Sequence, residues 1–420
     1  MNRKRKNKIS ECCDILDNLR VPINDEIRQT MQGNIPYYGA NGIQGYINKY
    51  IFDEDLILLA EDGGNFEEYH TRPIAYKISG KSWVNNHAHI LRAKQEFNQD
   101  YIFYSLVHKD ITKYLNSGTR SKLNKSELEK IEIDFPETKG EEDKMAKILS
   151  TADAVIEKTQ AAIAKYKAIK QGMLQDLFTR GIDLNTNKLR PRYQDAPELY
   201  KESKLGMIPR EWEDKIVDDI AKVNGRVGWK GYTVADLRDF GPLALGATHI
   251  DKENKLDLTN PIHLSMEKYI ESPEIMVQFG DLLIVQRGTI GKIVVIDKQI
   301  GEATINPSMV LLNSIRINNF FLYYQLCSFI GQLQIELLTT QTGVPMISQE
   351  QIKNINLIVP KNPKETDAIA ERLKNIDAIL DNEKSYLQKM QSIKKGLMED
   401  LLSGKKQVKV NEELVKQNEN

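Results

Sequence analysis

The chain has few cysteines and no long apolar run. Cys12, Cys13 and Cys327 are the three cysteines among 420 residues, and no CxxC pair is present. A disulfide framework and a zinc site of the usual spacing are therefore not expected. No run of about 18 apolar residues predicts a membrane span, and the basic N-terminus MNRKRKNK is not followed by the apolar stretch of a signal peptide. These absences favour a cytoplasmic protein.

The chain also lacks an excess of charge of either sign. Its 58 lysines and arginines balance 59 aspartates and glutamates, which gives a net charge of −1. A protein that holds DNA by bulk charge is usually basic. If this chain binds DNA, we expect local patches or a partner protein to supply the attraction.

Catalytic motifs are missing as well. The segment NPSM (306–309) is the nearest approach to the Asn/Asp-Pro-Pro-aromatic loop of an adenine methyltransferase, and it fails at two positions. The segment GKS (80–82) ends like a phosphate-binding loop, but Ala75 stands where the first glycine must be. The three histidines within residues 70–89 are better explained as loop or core residues than as ligands. We therefore predict no catalytic, cofactor-binding or metal-binding residue in this chain.

What the chain does contain is a long internal repeat. Residues 128–178 and 352–402 align without a gap at an offset of 224 residues. An offset of this length indicates a whole module that occurs twice rather than a solenoid of short repeats. Identical pairs include Asp143 and Asp367, Leu149 and Leu373, Asp153 and Asp377, Lys170 and Lys394, Gly172 and Gly396, and Asp176 and Asp400. A protein with two similar halves suits a target that itself has two halves.

Each copy contains one long helical pattern. Apolar residues recur at steps of three and four over about five heptads, which is the spacing of a coiled coil. Two such helices should pair, because a single one is unstable in water. The residues predicted for the helix-pair seam are Leu149, Ile156, Ile163 and Leu177 in the first copy and Leu373, Leu380, Leu387 and Leu401 in the second. Gly172 and Gly396, at the same place in each copy, suggest close approach of another backbone.

Upstream of each helix the sequence predicts a mixed domain that is rich in strands. Apolar strands are expected at 56–59 and 282–285, each followed by a glycine turn. Alternating strands at 131–135 and 355–359 are each followed by a proline, which cannot extend a ladder. The element order is the same in both halves, although most residues differ.

Several segments resemble the specificity subunits of type I restriction–modification systems. IPYYGANGIQGYI (35–47) with DEDLILLAEDG (53–63) is similar to one common type of target recognition domain. LGMIPREWE (205–213) resembles the phrase that precedes the second such domain. The helix endings AIKQGMLQDLFTRGI (168–182) and SIKKGLMEDLLSGKK (392–406) carry the pattern K-x-G-x-x-x-D-L twice and are the most specific segments.

The resemblance spans residues 8–405, with one departure. The first domain begins MNRKRKNKISECCDIL and lacks a counterpart of the tryptophan-containing phrase at 208–212. The packing of residues 1–20 is therefore left open by the sequence.

The resemblance implies a DNA sequence-recognition subunit that is not itself an enzyme. Each globular half would read one half of a bipartite, interrupted site in double-stranded DNA. The two long helices would pair antiparallel as a spacer and bind two modification (methyltransferase) subunits, and restriction subunits would add ATP-driven translocation and cleavage. S-adenosylmethionine, ATP and magnesium would belong to those partners.

The expected fold class is α+β, with two target recognition domains joined by two long antiparallel coiled-coil helices in an internal pseudo-two-fold repeat. The expected boundaries are 1–140 for the first recognition domain, 141–182 for the first spacer helix, 183–204 for an extended linker, 205–362 for the second recognition domain, 363–405 for the second spacer helix and 406–420 for a mobile tail.

Candidate base-reading residues are those able to hydrogen-bond to base edges from exposed loops. The loops considered are 37–44, 63–72 and 118–122 in the first half and 226–232, 287–289 and 339–342 in the second. The individual DNA-binding candidates are Arg120, Lys122, Arg226, Lys230, Arg287, Thr289 and Thr342. For each of them a solvated surface side chain is the competing interpretation.

Two other functions stay open at this point. The chain could be the recognition subunit of another restriction–modification class, or a structural coiled-coil scaffold. A scaffold explains the helices but not two globular domains of matching order and different residues. Co-purification with a methyltransferase separates these possibilities.

Overall fold

The computed structural model describes residues 5–116, 121–226, 231–339 and 345–409. The chain divides into two compact units. Unit 1 contains Met1–Ala161 and Ser385–Asn420, and unit 2 contains Ala162–Lys384. The first long helix, Lys139–Thr179, and the second, Pro363–Leu402, each contribute to both units. The compact units therefore cut through both helices, whereas the sequence-based boundaries set each helix apart from the globular domains.

Unit 1 is built around a four-stranded antiparallel sheet. Its strand order is Cys13–Ile15, Ala88–Ala93, Leu56–Ala60 and Ala75–Ile78. Leu56–Ala60 is an unbroken apolar run, and all five of its residues are buried, as expected for a strand covered on both faces. A second sheet has the order Gly42–Ile47, Gln32–Gly39, Lys81–Val84 and Phe52–Asp53. Unit 1 also contains the paired strands Arg5–Lys8 and Glu132–Phe135 and the α-helices Ile9–Cys12, Asp25–Thr30, Gln99–Leu106 and Lys125–Leu128.

Unit 2 contains a four-stranded antiparallel sheet of the same kind. Its order is Lys222–Gly225, Met309–Asn313, Leu282–Val285 and Ile293–Val295. A three-stranded sheet has the order His263–Leu264, Leu237–Leu245 and Ala303–Ile305. The paired strands are Ile182–Asp183 with Lys188–Leu189, Tyr200–Ser203 with Gly206–Pro209, and Trp212–Ile216 with Asn356–Pro360. Its short α-helices are Val217–Ile220, Met266–Ile270, Asn319–Cys327, Phe329–Leu338 and Gln349–Lys353.

The central sheets of the two units correspond strand for strand. The two middle strands pair antiparallel in both, with Leu59 opposite His89 in unit 1 and Ile284 opposite Val310 in unit 2. In unit 1, the strand Arg5–Lys8 pairs with Glu132–Phe135, which precedes the first long helix. In unit 2, Trp212–Ile216 pairs in the same way with Asn356–Pro360, which precedes the second long helix. The entry strand of unit 1 thus forms without the tryptophan-containing phrase.

The long helices pack in opposite order in the two units. Leu149 and Leu401 share the core of unit 1, so the start of the first helix packs with the end of the second. Leu177 and Leu373 share the core of unit 2, where the end of the first helix packs with the start of the second. Of the predicted seam residues, Ile156 and Leu387 are half-buried. The buried ones are Leu149, Ile163, Leu177, Leu373, Leu380 and Leu401.

Two expectations from the sequence are contradicted. The predicted extended linker, 183–204, is folded into unit 2: it contributes to two strand pairs, and Arg190 is buried there against Glu365. Gly172 and Gly396 are exposed, and a Cβ added to either would meet no described atom within 4 Å. Packing inside this chain therefore does not require a glycine at either position.

Candidate nucleic-acid interface

Each central sheet leads into a turn at an equivalent place. The first turn is residues 61–64, directly after the strand Leu56–Ala60, and the second turn is residues 286–289, directly after Leu282–Val285. Gly63 has φ 65° in the first turn, and Gly288 has φ 84° in the second. Glycine adopts positive φ without steric cost, so one glycine fixes the same chain direction in both turns.

Residues 122–123 anchor the first turn. The backbone N–H of Leu123 donates to the carbonyl oxygen of Glu61 at 2.7 Å, and Asp62 forms an isolated antiparallel bridge with Lys122. Leu123 is fully buried. Residues 122–123 therefore connect the first turn to the core of unit 1.

Residues 346–347 anchor the second turn in the same way. The backbone N–H of Ile347 donates to the carbonyl oxygen of Gln286 at 3.0 Å, and Arg287 forms an isolated antiparallel bridge with Met346. Ile347 is fully buried, as Leu123 is in unit 1. The anchoring residues are related by the offset of the sequence repeat, so the two turns have one backbone arrangement.

A charged cluster lies at the first turn. Arg20 Nη1 donates to Glu61 Oε2 at 2.5 Å, and Lys122 Nζ lies 3.1 Å from Glu61 Oε1. Burial by itself would raise the pKa of Glu61, but the hydrogen bonds from Arg20 and Lys122 hold the pKa below its usual value. Glu61 therefore stays ionised and fixes two cations next to the turn.

His89 forms the buried part of the same cluster. Its Nδ1 lies 2.6 Å from Asp17 Oδ2, and its Nε2 lies 2.8 Å from the carbonyl oxygen of Leu123. Burial favours a higher pKa for Asp17, yet the bond from His89 holds the pKa of Asp17 below its usual value. A carboxylate and a carbonyl oxygen both accept hydrogen bonds, so each ring nitrogen of His89 faces an acceptor within the cluster.

The cluster contains residue types that can bind a metal ion. Asp17, Glu61 and His89 place one ligand atom each within 4.8 Å of one another. Both nitrogens of His89 are already used, and Glu61 is bonded to Arg20 and Lys122. Because a metal needs a free imidazole lone pair, these bonds describe a closed ion-pair network.

The second turn carries different chemistry on the same backbone. Gln286 is 7% exposed, and its Nε2 donates to the carbonyl oxygen of Pro307 at 2.9 Å. Arg287 and Thr289 are exposed. The Nε of Arg287 lies 3.2 Å from the sulfur of Met346. The second turn therefore presents a cation where the first turn has the carboxylate of Asp62.

The predicted base readers fall into distinct groups. Arg287 and Thr289 are exposed on the second turn, and Lys122 is exposed beside the first turn with its ammonium bonded to Glu61. The positions that lie outside the described residues are Arg120, Lys230 and Thr342. Of the loops considered, 37–44 is mostly the hairpin of Gln32–Gly39 and Gly42–Ile47, and Tyr37 in it is 2% exposed.

The structure contradicts the prediction for Arg226. Its side chain is 4% exposed, with Nε donating to the carbonyl oxygen of Ile305 at 2.8 Å and Nη2 to Thr304 Oγ1 at 3.0 Å. Desolvation lowers the pKa of Arg226. A guanidinium bonded inside unit 2 supports the strand Ala303–Ile305 and is not available to a base.

A further polar site was not predicted from the sequence and joins each globular part to the helices. In unit 1, Lys394 Nζ lies 2.5 Å from Asp153 Oδ1, and the Tyr104 hydroxyl donates to Asp153 Oδ2 at 2.7 Å. The ammonium of Lys394 also sits 5.6 Å from the centroid of the Tyr104 ring. These three residues are the triad of unit 1.

The triad of unit 2 is Tyr324, Asp377 and Lys170. Lys170 Nζ lies 2.5 Å from Asp377 Oδ1, the Tyr324 hydroxyl donates to Asp377 Oδ2 at 2.8 Å, and the ammonium is 5.4 Å from the ring centroid. Burial first, and then the nearby carboxylate, raise the pKa of Tyr324, so the hydroxyl remains a donor. Each lysine of the repeated K-x-G-x-x-x-D-L pattern thus binds the aspartate of the other helix.

In the part of the chain that the structure describes, the helices lack the combination of length and apolar composition that a membrane span needs.

Comparison with known proteins agrees with this architecture. A family model described as the type I restriction modification DNA specificity domain matches residues 3–166 and 209–392. The type I restriction enzyme MjaVIII specificity subunit of Methanocaldococcus jannaschii is 26% identical over 404 residues, which cover 91% of this chain and 88% of that protein. S.HindORF215P of Haemophilus influenzae is 36% identical over 129 residues, and the match spans 30% of this chain and only 32% of that protein.

A solved structure has the same fold. The type I restriction-modification system S subunit from M. genitalium superposes with a TM-score of 0.64 at 14% identity, over 98% of this chain and 97% of that one. The first match covers the globular part of unit 1 with the start of the first helix, and the second covers most of the globular part of unit 2 with most of the second helix. This chain therefore belongs to the family of type I restriction–modification DNA specificity domains.

Proposed function

We propose that this chain is the DNA sequence-recognition subunit of a type I restriction–modification complex and that each unit reads one half of an interrupted site. The observation that carries the proposal is the pair of turns with one backbone arrangement and different side chains. A protein that recognises two unlike half-sites needs the same placement twice with different donors and acceptors, since base edges differ in those groups.

The two long helices would act as an antiparallel coiled-coil spacer and as the docking surface for two modification subunits. Support comes from the repeated identities on the helices and from the triads, which bind each globular part to both helices in the same way. The first helix has 41 residues, which at about 1.5 Å per residue gives a length of about 60 Å. Helices of that length can separate two recognition sites on DNA.

Catalysis would belong to the partner subunits. Adenine methylation needs S-adenosylmethionine, and translocation with cleavage needs ATP and magnesium. The amino-acid sequence lacks the motifs for these reactions, so we assign this chain binding and assembly. Because phosphate contacts supply most affinity for DNA and the net charge of this chain is −1, the isolated chain should bind DNA weakly and the complex with modification subunits tightly.

Co-purification tests the proposal. The tagged full-length chain is co-expressed with adenine methyltransferases of the same genome, and the methylated sites of the complex are mapped by sequencing. A complex with two methyltransferase copies that methylates one split adenine-containing site is expected. Failure to bind any methyltransferase would contradict the proposal and favour a structural scaffold, while a single-polypeptide restriction enzyme as partner would indicate another class.

The spacer role has a separate test. One heptad is inserted into each helix where the two units divide, between Ala161 and Ala162 and between Lys384 and Ser385. Seven residues add about 10 Å of helix, or about three base pairs of DNA, and leave the triads inside their own units. The gap between half-sites should lengthen by about that amount with both half-sites unchanged. An unchanged gap would refute the spacer role.

A further inference from the structure

The second turn holds one exposed cation in a rigid setting. Residue 286 is buried, Gly288 fixes the chain direction, and Ile347 ties the turn to the core. Arg287 lies between these fixed points and its side chain is exposed. A side chain on such a support is placed with more precision than one on a free loop.

The charge of Arg287 is not used inside the chain. Among the described residues no carboxylate lies within ion-pair distance of Arg287, and its one hydrogen-bonding contact is from Nε to the sulfur of Met346 at 3.2 Å. A thioether is a weak acceptor. The two terminal nitrogens of the guanidinium therefore retain their four N–H donors for a ligand.

The equivalent position in unit 1 shows what varies. Asp62 there lies 2.9 Å from the Nδ1 of His87. The nearby cations Arg20 and Lys122 are bonded to Glu61, so their charge is used within the cluster. The turn thus keeps its backbone in both units but offers a free cation only in unit 2, among the residues described. A residue that differs in this way on a constant support is suited to determine specificity.

We propose that Arg287 recognises a guanine in the half-site bound by unit 2 and is a specificity-determining residue of this protein. The planar fork of arginine donates two parallel hydrogen bonds to O6 and N7 of guanine in the major groove. No other base presents two acceptors there in that geometry. The inference rests on the proposed function, because it assumes that the two units read separate half-sites. It adds which base unit 2 requires and that unit 1 lacks this contact at its own turn.

The test uses the complex of the full chain with its methyltransferase partner. Methylation is measured on a DNA duplex library with randomised half-sites for the wild type, for Arg287→Gln and for Arg287→Lys. Wild type is expected to require guanine at one position of one half-site. Arg287→Gln should reduce that preference roughly ten- to hundredfold without changing the other half-site or the gap. Arg287→Lys keeps the charge but loses the fork, so the preference should also fall.

A matched control removes one charge elsewhere on unit 2. Lys298 is exposed and follows the strand Ile293–Val295, at the end of the hairpin opposite to the second turn. Lys298→Gln should leave all base preferences intact. Equal thermal unfolding midpoints of Lys298→Gln, Arg287→Gln and wild type verify that each variant is folded.

Two results would overturn the assignment of Arg287. Weaker methylation of every sequence alike, with the slope of log affinity against log salt reduced by about one and activity retained in Arg287→Lys, would make Arg287 a phosphate contact. Unchanged preferences in Arg287→Gln would make Arg287 a solvated surface residue. Both results would leave the proposed function supported, provided that the wild-type complex methylates a two-part site. A wild-type complex that methylates no two-part site would contradict the proposed function itself.

Discussion

The triads and the turns differ in opposite ways between the two units. The triads repeat the same three residue types with nearly the same distances, although each lysine comes from a different helix. The turns repeat the backbone but exchange Asp62 for Arg287. Groups that fasten a globular part to the helices face the same geometric demand twice, so they stay alike. Side chains carried by the turns face no such demand, and the difference between Asp62 and Arg287 gives each turn its own chemistry.

The interiors of the two units also differ in where they bury polar and charged side chains. At equivalent places in the middle strands, unit 1 buries the polar His89, which is bonded to Asp17, whereas unit 2 buries the apolar Val310. Unit 2 in turn buries an ion pair of its own between Arg190 and Glu365. Buried charges are stable only when fully paired. The two units should therefore respond differently to loss of a charge and to pH.

The largest expected difference between the units follows from Glu365. Its carboxylate is 2% exposed and accepts hydrogen bonds from Arg190, from the Trp212 indole at 3.1 Å and from the backbone of Ile182 at 2.9 Å. Glu365→Ala removes the buried partner of the Arg190 cation, which keeps the exposed carboxylate of Glu211 at 2.6 Å, and it leaves two buried donors without an acceptor, so unit 2 should lose about 3–5 kcal/mol of local stability. Hydrogen exchange of backbone amides, resolved by unit, measures this loss.

The repeat supplies a matched control for that variant. Glu141 occupies the position equivalent to Glu365, but it is half-buried, and among the described residues its carboxylate bonds to Thr138 at the start of the helix. Glu141→Ala should cost unit 1 about 1 kcal/mol or less, as for a lost helix cap. Equal losses in the two units would show that the difference in surroundings is not what matters.

The triads should behave alike in the two units. Asp153→Ala removes the partner of Lys394 and of the Tyr104 hydroxyl, and Asp377→Ala does the same to Lys170 and Tyr324. Each change should cost its own unit about 1–3 kcal/mol, because a partly buried cation and a hydroxyl lose their acceptor.

The same amide-exchange measurement compares the two triads. Glu157→Ala, an exposed carboxylate on the first helix, controls for the loss of a helix-surface charge and should be nearly neutral. A loss confined to one of the two triads would break the functional equivalence inferred from the repeat.

The smallest expected effect is on the pH dependence of stability, which should have opposite signs for Asp281 in unit 2 and Asp17 in unit 1. Burial raises the pKa of Asp281 in unit 2 to about 6, so the folded form binds protons more tightly than the unfolded chain. Its contribution to stability is fully present below pH 4 and is lost as pH rises through 6. Relative to Asp281→Asn, wild-type unit 2 should gain on the order of 1–2 kcal/mol between pH 7 and pH 4.

Asp17 in unit 1 has the opposite sign, because its pKa in the folded state is depressed. Its contribution is present above its unfolded pKa of about 3.9 and is lost as pH falls below that value. The stability difference between wild type and Asp17→Asn should therefore be constant from pH 7 to about pH 5 and then shrink in acid. Hydrogen exchange of the Leu123 amide, which donates to the carbonyl oxygen of Glu61 beside this cluster, measures this stability difference. The same sign in both units would contradict the assignment of the two carboxyl groups.

Much of the architecture could be predicted because it is encoded by neighbouring residues. The apolar runs at 56–59 and 282–285 form strands, as predicted. The two segments with heptad spacing form helices of 41 and 40 residues. Glycine after a strand predicted both turns. The prediction of an extended linker at 183–204 was wrong because a polar composition does not show that Arg190 is buried against Glu365, which lies far along the chain.

The candidate site was predictable only in part. Arg287 and Thr289 lie on a turn that local sequence marks with a glycine, and they are exposed there. Arg226 has the same residue type and a similar flanking glycine, but Thr304 and Ile305 bury it. Exposure depends on what covers a residue, and no neighbour in the sequence carries that information.

The sequence alone determined the two-fold repetition, the strands and helices, the lack of catalytic motifs and the resemblance that the family model confirms. Periodicity and turn residues act over a few positions, so a reader of the chain can see them. The tertiary structure decided which charges pair: Lys394 with Asp153, Lys170 with Asp377, and Arg287 with no carboxylate among the described residues. Such pairs form across more than 200 residues of chain, because packing of the sheets and helices brings distant side chains within a few ångströms.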